Sequence, residues 1–131
     1  MKWLHRLLPW LAPLGSRGEA AAARFLKQHQ YRILHRNLRT RIGEIDLVAQ
    51  DPDGRTIVFI EVKTGQAGSV RPEVRVGPDK QRRIVRLAVQ YVRKRAMIDR
   101  PIRFDIMGVD LPPDGNSPVI RHYRAAFEST A

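Results

Sequence analysis

The run Ile57-Val58-Phe59-Ile60 is the most apolar of the strand-like stretches, and it leads without a break into Glu61-Val62-Lys63. Side chains alternate across a β-strand, so Glu61 and Lys63 share one face while Ile60 and Val62 take the other. A strand this apolar belongs in a core, yet it ends with a carboxylate and an ammonium whose α-carbons stand about 7 Å apart. Burying such groups is costly unless they are paired or used. Either Glu61 and Lys63 form an ion pair without chemical consequence, or they belong to a site.

The elements around this strand follow from pattern. Ser16-Arg17-Gly18-Glu19 has capping-box spacing, and an alanine-rich helix is expected from about Arg17 to His29. Its inward stripe is Glu19, Ala22, Ala23 and Leu26, at helical spacing. Tyr31–Leu38 and Glu44–Gln50 read as strands, the first with Tyr31, Ile33, His35 and Asn37 on one face. Asp51-Pro52-Asp53-Gly54 is a turn signal, and Thr56–Lys63 is the third strand. Short connections make these three an antiparallel meander. After a loop over Thr64–Gly77, Pro78 opens a second helix that runs to Arg95 or Ala96, with Ile84, Leu87, Ala88, Tyr91 and Val92 as its apolar stripe. Ile102–Val109 is a fourth strand and Pro118–Arg124 a short edge strand. The domain plan is an N-terminal extension over 1–15, flexible or docking, one domain over 16–125, and a frayed tail over 126–131.

With 131 residues, a single domain with a real core is expected. Cysteine is absent, which excludes disulfides, cysteine zinc sites and thiol catalysis, and fits a cytoplasmic protein. No apolar run is long enough for a transmembrane helix, so stable membrane insertion is not expected. The net charge of +11 points to polyanionic partners. Arg71 to Arg103 holds eleven basic residues against three acidic ones, a net of +8. That run is either a solvated helix face or a surface that grips phosphate, which arginine does in a bidentate fork.

Asp46, in Gly43-Glu44-Ile45-Asp46-Leu47, lies on the strand before Glu61, and the meander can bring the two carboxylates together. Converging carboxylates repel, and a divalent cation is the usual remedy; hard oxygen ligands select Mg²⁺ or Mn²⁺. Metal-assisted phosphodiester hydrolysis uses such a set, with Lys63 serving the water or the charge of the transition state. Strict alternation puts Glu44, Asp46 and Val48 on one face, and Glu44 is either an acid that supports the site from behind or a solvated strand residue. Asp105 reads as structural. The four histidines lack metal-ligand spacing, and phosphate-loop, dinucleotide and nucleophile-elbow motifs are all missing.

Taken in order, Gly18-Glu19, Asn37, Gly43-Glu44-Ile45-Asp46-Leu47, Phe59-Ile60-Glu61-Val62-Lys63-Thr64, Lys80 and Arg103-Phe104-Asp105 resemble the YraN family of small bacterial proteins. The likeness runs from about Ser16 to Val109. That family is similar to the restriction-endonuclease-like superfamily with the PD-(D/E)XK signature, and to archaeal Holliday-junction resolvases. The resemblance implies an α/β restriction-endonuclease-like core: helix, three-strand meander, helix, strand, with a mixed sheet flanked by helices. It makes Asp46 the motif aspartate, Glu61 the second acid, Lys63 the motif lysine and Glu19 the acid of the first helix. Asp46 and Glu61 would then ligate Mg²⁺ or Mn²⁺. Lys80, beside Gln81, falls where related nucleases carry a further polar residue.

The expectation is thus a Mg²⁺-dependent nuclease-like protein that binds DNA and hydrolyses its phosphodiester bonds, on branched structures in the resolvase-like case. Arg39, Lys80, Arg82, Arg83 and Arg86, with the Thr64–Gly77 loop, would track the phosphate backbone. A homodimer is implied by the resolvase likeness alone. The alternative is a non-catalytic nucleic-acid-binding protein that keeps the nuclease fold; a docking module for an acidic protein is a third reading. Two features depart from the family pattern: Gly65 stands where an arginine commonly follows Lys-Thr, and the N-terminal extension has no counterpart.

Overall fold

A computed structural model describes residues 14–66 and 76–128. Most of the N-terminal extension, the loop centre with Arg71 and Arg75, and the last three residues of the expected tail lie outside the described residues. The order is α1 (Leu14–Gln28), β1 (Arg32–Arg39), β2 (Glu44–Gln50), β3 (Ile57–Gln66), α2 (Pro78–Lys94), β4 (Ile102–Leu111) and β5 (Val119–Phe127). The five strands form one sheet in the order β1-β2-β3-β4-β5. β1, β2 and β3 are the antiparallel meander, β4 joins β3 in parallel through the α2 crossover, and β5 returns antiparallel to β4. The mixed sheet flanked by helices is therefore as expected.

Burial follows the strand period. Val58, Ile60 and Val62 pack with Ala22, Ala23 and Leu26 on the α1 face, while Ile57 and Phe59 pack with Ile84, Leu87, Ala88 and Tyr91 on the α2 face. β3 is central, paired on both edges and covered on both faces, which is why it is the most apolar strand. The Asp51 turn forms through side-chain acceptors: Asp53 N–H donates to Asp51 Oδ1 at 2.8 Å, and Thr56 N–H to Asp53 Oδ1 at 2.8 Å. Gly54 takes the positive φ of 74° there.

Several boundaries and faces differ from the sequence reading. Ser16 lies inside α1, which is already helical at Leu14, so the 16–19 capping box does not form. β5 runs through Phe127, beyond the expected end of the domain, because Phe127 stacks on Phe104 with ring centroids 4.9 Å apart. β1 does not keep one alternation. A register shift between Ile33 and His35 leaves Tyr31 and Ile33 toward α1, while His35 meets Tyr91 of α2.

At the N-terminal end of β3 and β4 a buried polar network closes the α1 face. Arg103 donates to Asp105 Oδ1 at 2.9 Å, to Asp51 Oδ2 at 2.6 Å and to Tyr31 Oη at 2.9 Å. His122 Nε2 donates to Asp105 Oδ2 at 2.7 Å, and Ala125 N–H to Asp105 Oδ1 at 2.9 Å. Burial alone would raise the Asp105 carboxyl, but the donors from His122 and Arg103 overrule it and hold it below the usual carboxylate range. Asp105 is thus structural, as its position suggested: it ties β5 and the β2–β3 turn to β4. Asp105→Ala would leave Arg103 and His122 without their shared acceptor. It should cost about 3–5 kcal/mol of unfolding free energy, read from the urea midpoint; a loss below about 1 kcal/mol would mean the network does not hold β5.

Candidate active site at the C-terminal end of β3

β2 and β3 pair from Gln50↔Ile57 to Leu47↔Ile60, and there the ladder stops. Beyond it, Val62 N–H donates to Asp46 Oδ2 at 2.7 Å instead of to a β2 carbonyl. The cause lies in β2 and β1 together. Ile45 and Leu47 would share a face in a regular strand, yet Ile45 packs in the α2-side core and Leu47 in the α1-side core. Opposite Asp46, between the pairs Arg36↔Leu47 and Leu38↔Ile45, stands Asn37 with φ 51°. Asparagine tolerates this left-handed conformation better than most residues. Alternation is therefore interrupted at Asp46, whose side chain reaches along the sheet to β3. This corrects the shared face expected for Glu44, Asp46 and Val48. Glu44 is exposed and 3.6 Å from Arg39, as a solvated residue should be.

α1 brings Glu19 to the same place through Gly18. A Cβ on Gly18 would fall 1.8 Å from Thr64 Oγ1 and 2.7 Å from Thr64 Cβ, so only glycine lets the helix seat on the end of β3. Glu19, the next residue, comes close enough to Asp46 for its charge to act on that carboxyl. Burial, together with the Glu19 charge, pushes the Asp46 carboxyl up to about 6, against the opposing pull of Val62 N–H and Lys80.

α2 contributes from the other face. Gly77 and Pro78 set the helix start, and Gln81 Nε2 donates back to Val76 O at 2.7 Å, fixing the incoming chain. Lys80, in the first turn, reaches Glu61, with Nζ 2.6 Å from Oε1. Lys63 Nζ lies 3.6 Å from the same oxygen. Glu61 is only 7% exposed, so the two ammonium groups are what makes its charge tolerable.

The sequence-derived residues Glu19, Asp46, Glu61 and Lys63 thus gather at one end of β3, but their pairing differs from expectation. The acid whose charge acts on Asp46 is Glu19, while Glu61 faces ammonium groups. Lys80, grouped from sequence with the backbone-tracking residues, sits in the site. Its signal was the first-turn position, one helix start away from the β3 tip. Gly18 and Asn37 stand in the motif stretches, but their conformational roles show only once Thr64 and Asp46 are placed beside them.

Arg82, Arg83 and Arg86 are exposed on α2, and Arg82 pairs with Asp79. The β1–β2 turn lies against this helix, Gly43 being in reach of Arg83, and exposed Arg39 stands at its β1 end. These cations flank the site on the α2 side.

Three carboxylates on three elements are hard oxygen donors suited to Mg²⁺ or Mn²⁺. Burial and the neighbouring Glu19 charge both disfavour an ionised Asp46, and a dication bound there would relieve both. Among the described residues, however, no three of His, Cys, Asp and Glu are already drawn together as a cation cage. Among the same residues no helix is long and apolar enough to cross a membrane.

The model of the "Uncharacterised protein family UPF0102" matches residues 18–109. A UPF0102 protein of Geobacter metallireducens is 44% identical over 116 residues, covering 88% of this chain and 92% of the relative. One from Geobacter sulfurreducens is 45% identical over 117 residues, 88% of each chain. Another from Symbiobacterium thermophilum is 47% identical over 103 residues, 78% of this chain and 86% of the relative.

Two predictions follow from this packing. A carboxyl whose pKa is raised on folding penalises the folded state increasingly as pH climbs from its ordinary 3.8 through about 6, and fully above that. Asp46→Asn keeps the acceptor for Val62 and removes the charge. It should stabilise the metal-free protein by on the order of 1 kcal/mol at pH 8, with the gain fading toward pH 4 in thermal melts. Gly18→Ala should cost about 1–3 kcal/mol in the same melts, because the helix must lift off Thr64.

Proposed function

The chain belongs to the UPF0102 (YraN) family, and from that footing we propose that it is a divalent-cation-dependent phosphodiesterase of the restriction-endonuclease-like kind, acting on DNA. The observation that carries the reading is the joining of Glu19, Asp46, Glu61, Lys63 and Lys80 at the end of one buried strand, from four separate elements. Carboxylates beside lysines at a strand end are the donor set this hydrolysis needs.

Glu19, Asp46 and Glu61 would hold the cation. When bound, Mg²⁺ or Mn²⁺ would supply Lewis-acid polarisation of the scissile phosphate and activation of the attacking water. Lys63 and Lys80 present Nζ donors beside Glu61, where they can take up the charge that grows on the phosphate oxygens. Glu61 keeps both ammonium groups aimed. Asp46 stays fixed by Val62 N–H, so its orientation is set before any ligand arrives. Arg83 and Arg86 on α2, with Arg39 across the turn, would engage the phosphate backbone, which gives affinity and register without reading sequence. The resolvase likeness adds branched DNA as substrate and a homodimer as the working form.

One observation favours the second reading, a non-catalytic nucleic-acid-binding protein. Lys80 already satisfies Glu61 at 2.6 Å, so this acid is neutralised without a metal ion. Gly65, in place of the arginine common to the family, points the same way.

Branched, single-stranded and duplex DNA incubated with the full-length chain and Mg²⁺ or Mn²⁺ separate the two. Hydrolysis should require the cation, and Glu61→Ala or Lys63→Ala should each lower its rate by about 10²–10³. Lys80→Ala should lower it too while leaving duplex affinity nearly unchanged. Binding without cutting under every condition leaves the non-catalytic reading; cutting that survives both Glu61→Ala and Lys63→Ala removes this site from the chemistry.

A further inference from the structure

At the far end of α1, about 15 Å along the helix from Glu19, lies a cavity of about 360 Å³. Its size falls in the range of small-ligand clefts, ~300–1,000 Å³. The last turn of α1 supplies Phe25, His29 follows it, Tyr31 leads into β1, β5 supplies His122 and Arg124, and Asp51 and Pro52 of the β2–β3 turn complete the lining.

The walls are rings. His29 stacks on Phe25 with centroids 4.0 Å apart and planes 25° apart. His122 stands edge-on to Phe25 at 6.3 Å and to Tyr31 at 5.8 Å. Three of the four rings are fixed from behind. His29 Nδ1 donates to Phe25 O at 2.8 Å, which leaves Nε2 as the other polar atom of an exposed ring. His122 is held by Asp105, whose side chain is fully buried, and Tyr31 by Arg103. At the rim Arg124 is 62% exposed and 3.5 Å from Asp51. An adjoining hollow of about 200 Å³ shares Phe25 and is lined by exposed Arg24.

We propose that this cavity is a stacking subsite for one unpaired base of single-stranded nucleic acid, with Arg124 taking a neighbouring phosphate. The inference rests on the nucleic-acid reading above and adds a second contact surface, on the α1 face rather than the α2 face. An unpaired base offers a π-face and an edge of hydrogen-bonding groups; a cleft lined by four rings, its one carboxylate, Asp51, paired with Arg103 and Arg124, answers both. A duplex keeps its bases stacked and has no free face to offer. An acidic peptide answers only the cations and leaves the rings unused. The buried Asp105–Arg103 pair fits this role as well as its structural one, because it holds two of the rings in place.

The test is fluorescence anisotropy on the full-length protein in EDTA, so that hydrolysis plays no part. The probes are a short oligothymidine strand, an abasic strand of the same length and charge, and a duplex. His29 is exposed, so His29→Ala should leave the fold intact. It should weaken oligothymidine binding about fivefold or more and leave the abasic strand and the duplex unchanged. Arg124→Gln should weaken both single strands and flatten their salt dependence. The proposal is overturned by unchanged oligothymidine affinity in His29→Ala, by an equal loss on the abasic strand, or by polyglutamate displacing oligothymidine as well as nucleic acid does. Duplex binding that persists through any of these outcomes spares the broader nucleic-acid reading. If the wild-type chain binds none of the three probes, both fall.

Discussion

The Val62 N–H to Asp46 bond is the point on which the site turns. A central strand must satisfy its backbone on both edges, and up to Ile60 the β2 ladder does so. Past that register the pairing with β2 ends, and a side-chain carboxylate replaces a carbonyl as acceptor. One substitution of acceptor does two jobs. It lets the ladder end without leaving the Val62 donor unpaired, and it pins a carboxylate at that end. Asn37, in a left-handed conformation directly across β1, makes the departure compatible with continued pairing on either side.

The two ends of the central sheet hold buried charge in opposite ways. Around Asp105, donors outweigh burial, and the carboxylate is kept ionised by a closed set of partners. Around Asp46, burial and a neighbouring acid outweigh the donors, and the group is held near the boundary between its two forms. A closed network resists change and suits a structural clasp. An acid raised toward neutrality is more readily altered by a ligand, which is where perturbed carboxyls concentrate in enzymes.

The element order, the meander, the crossover helix and the core stripes were legible in the sequence because period and turn chemistry agree along most of the chain. The α2 stripe of Ile84, Leu87, Ala88, Tyr91 and Val92 is buried as read, with Val85 added. The membership of Glu19, Asp46, Glu61 and Lys63 in one cluster was legible too. Their partners were not. Alternation predicts faces only for a regular strand, and β1 and β2 both break it, at the Ile33/His35 shift and at Asn37 opposite Asp46. Helix placement against the sheet was equally hidden: Gly18 signals close approach only once Thr64 is known to lie beneath it. Lys80 needed the crossover geometry before its reach to Glu61 could be seen.

Because α1 and α2 cover opposite faces, Glu19 and Lys80 arrive at the β3 tip from above and below the same sheet. The gap between that acid and that ammonium is consequently a calliper reading of how thick the two layers are. Ala22 and Ala23, both fully buried, keep one jaw close, and Ile84 and Leu87 set the other. Bulk added under either helix, far from any charged group, would open the jaws, so interior volume and the electrostatics of the tip are mechanically geared together.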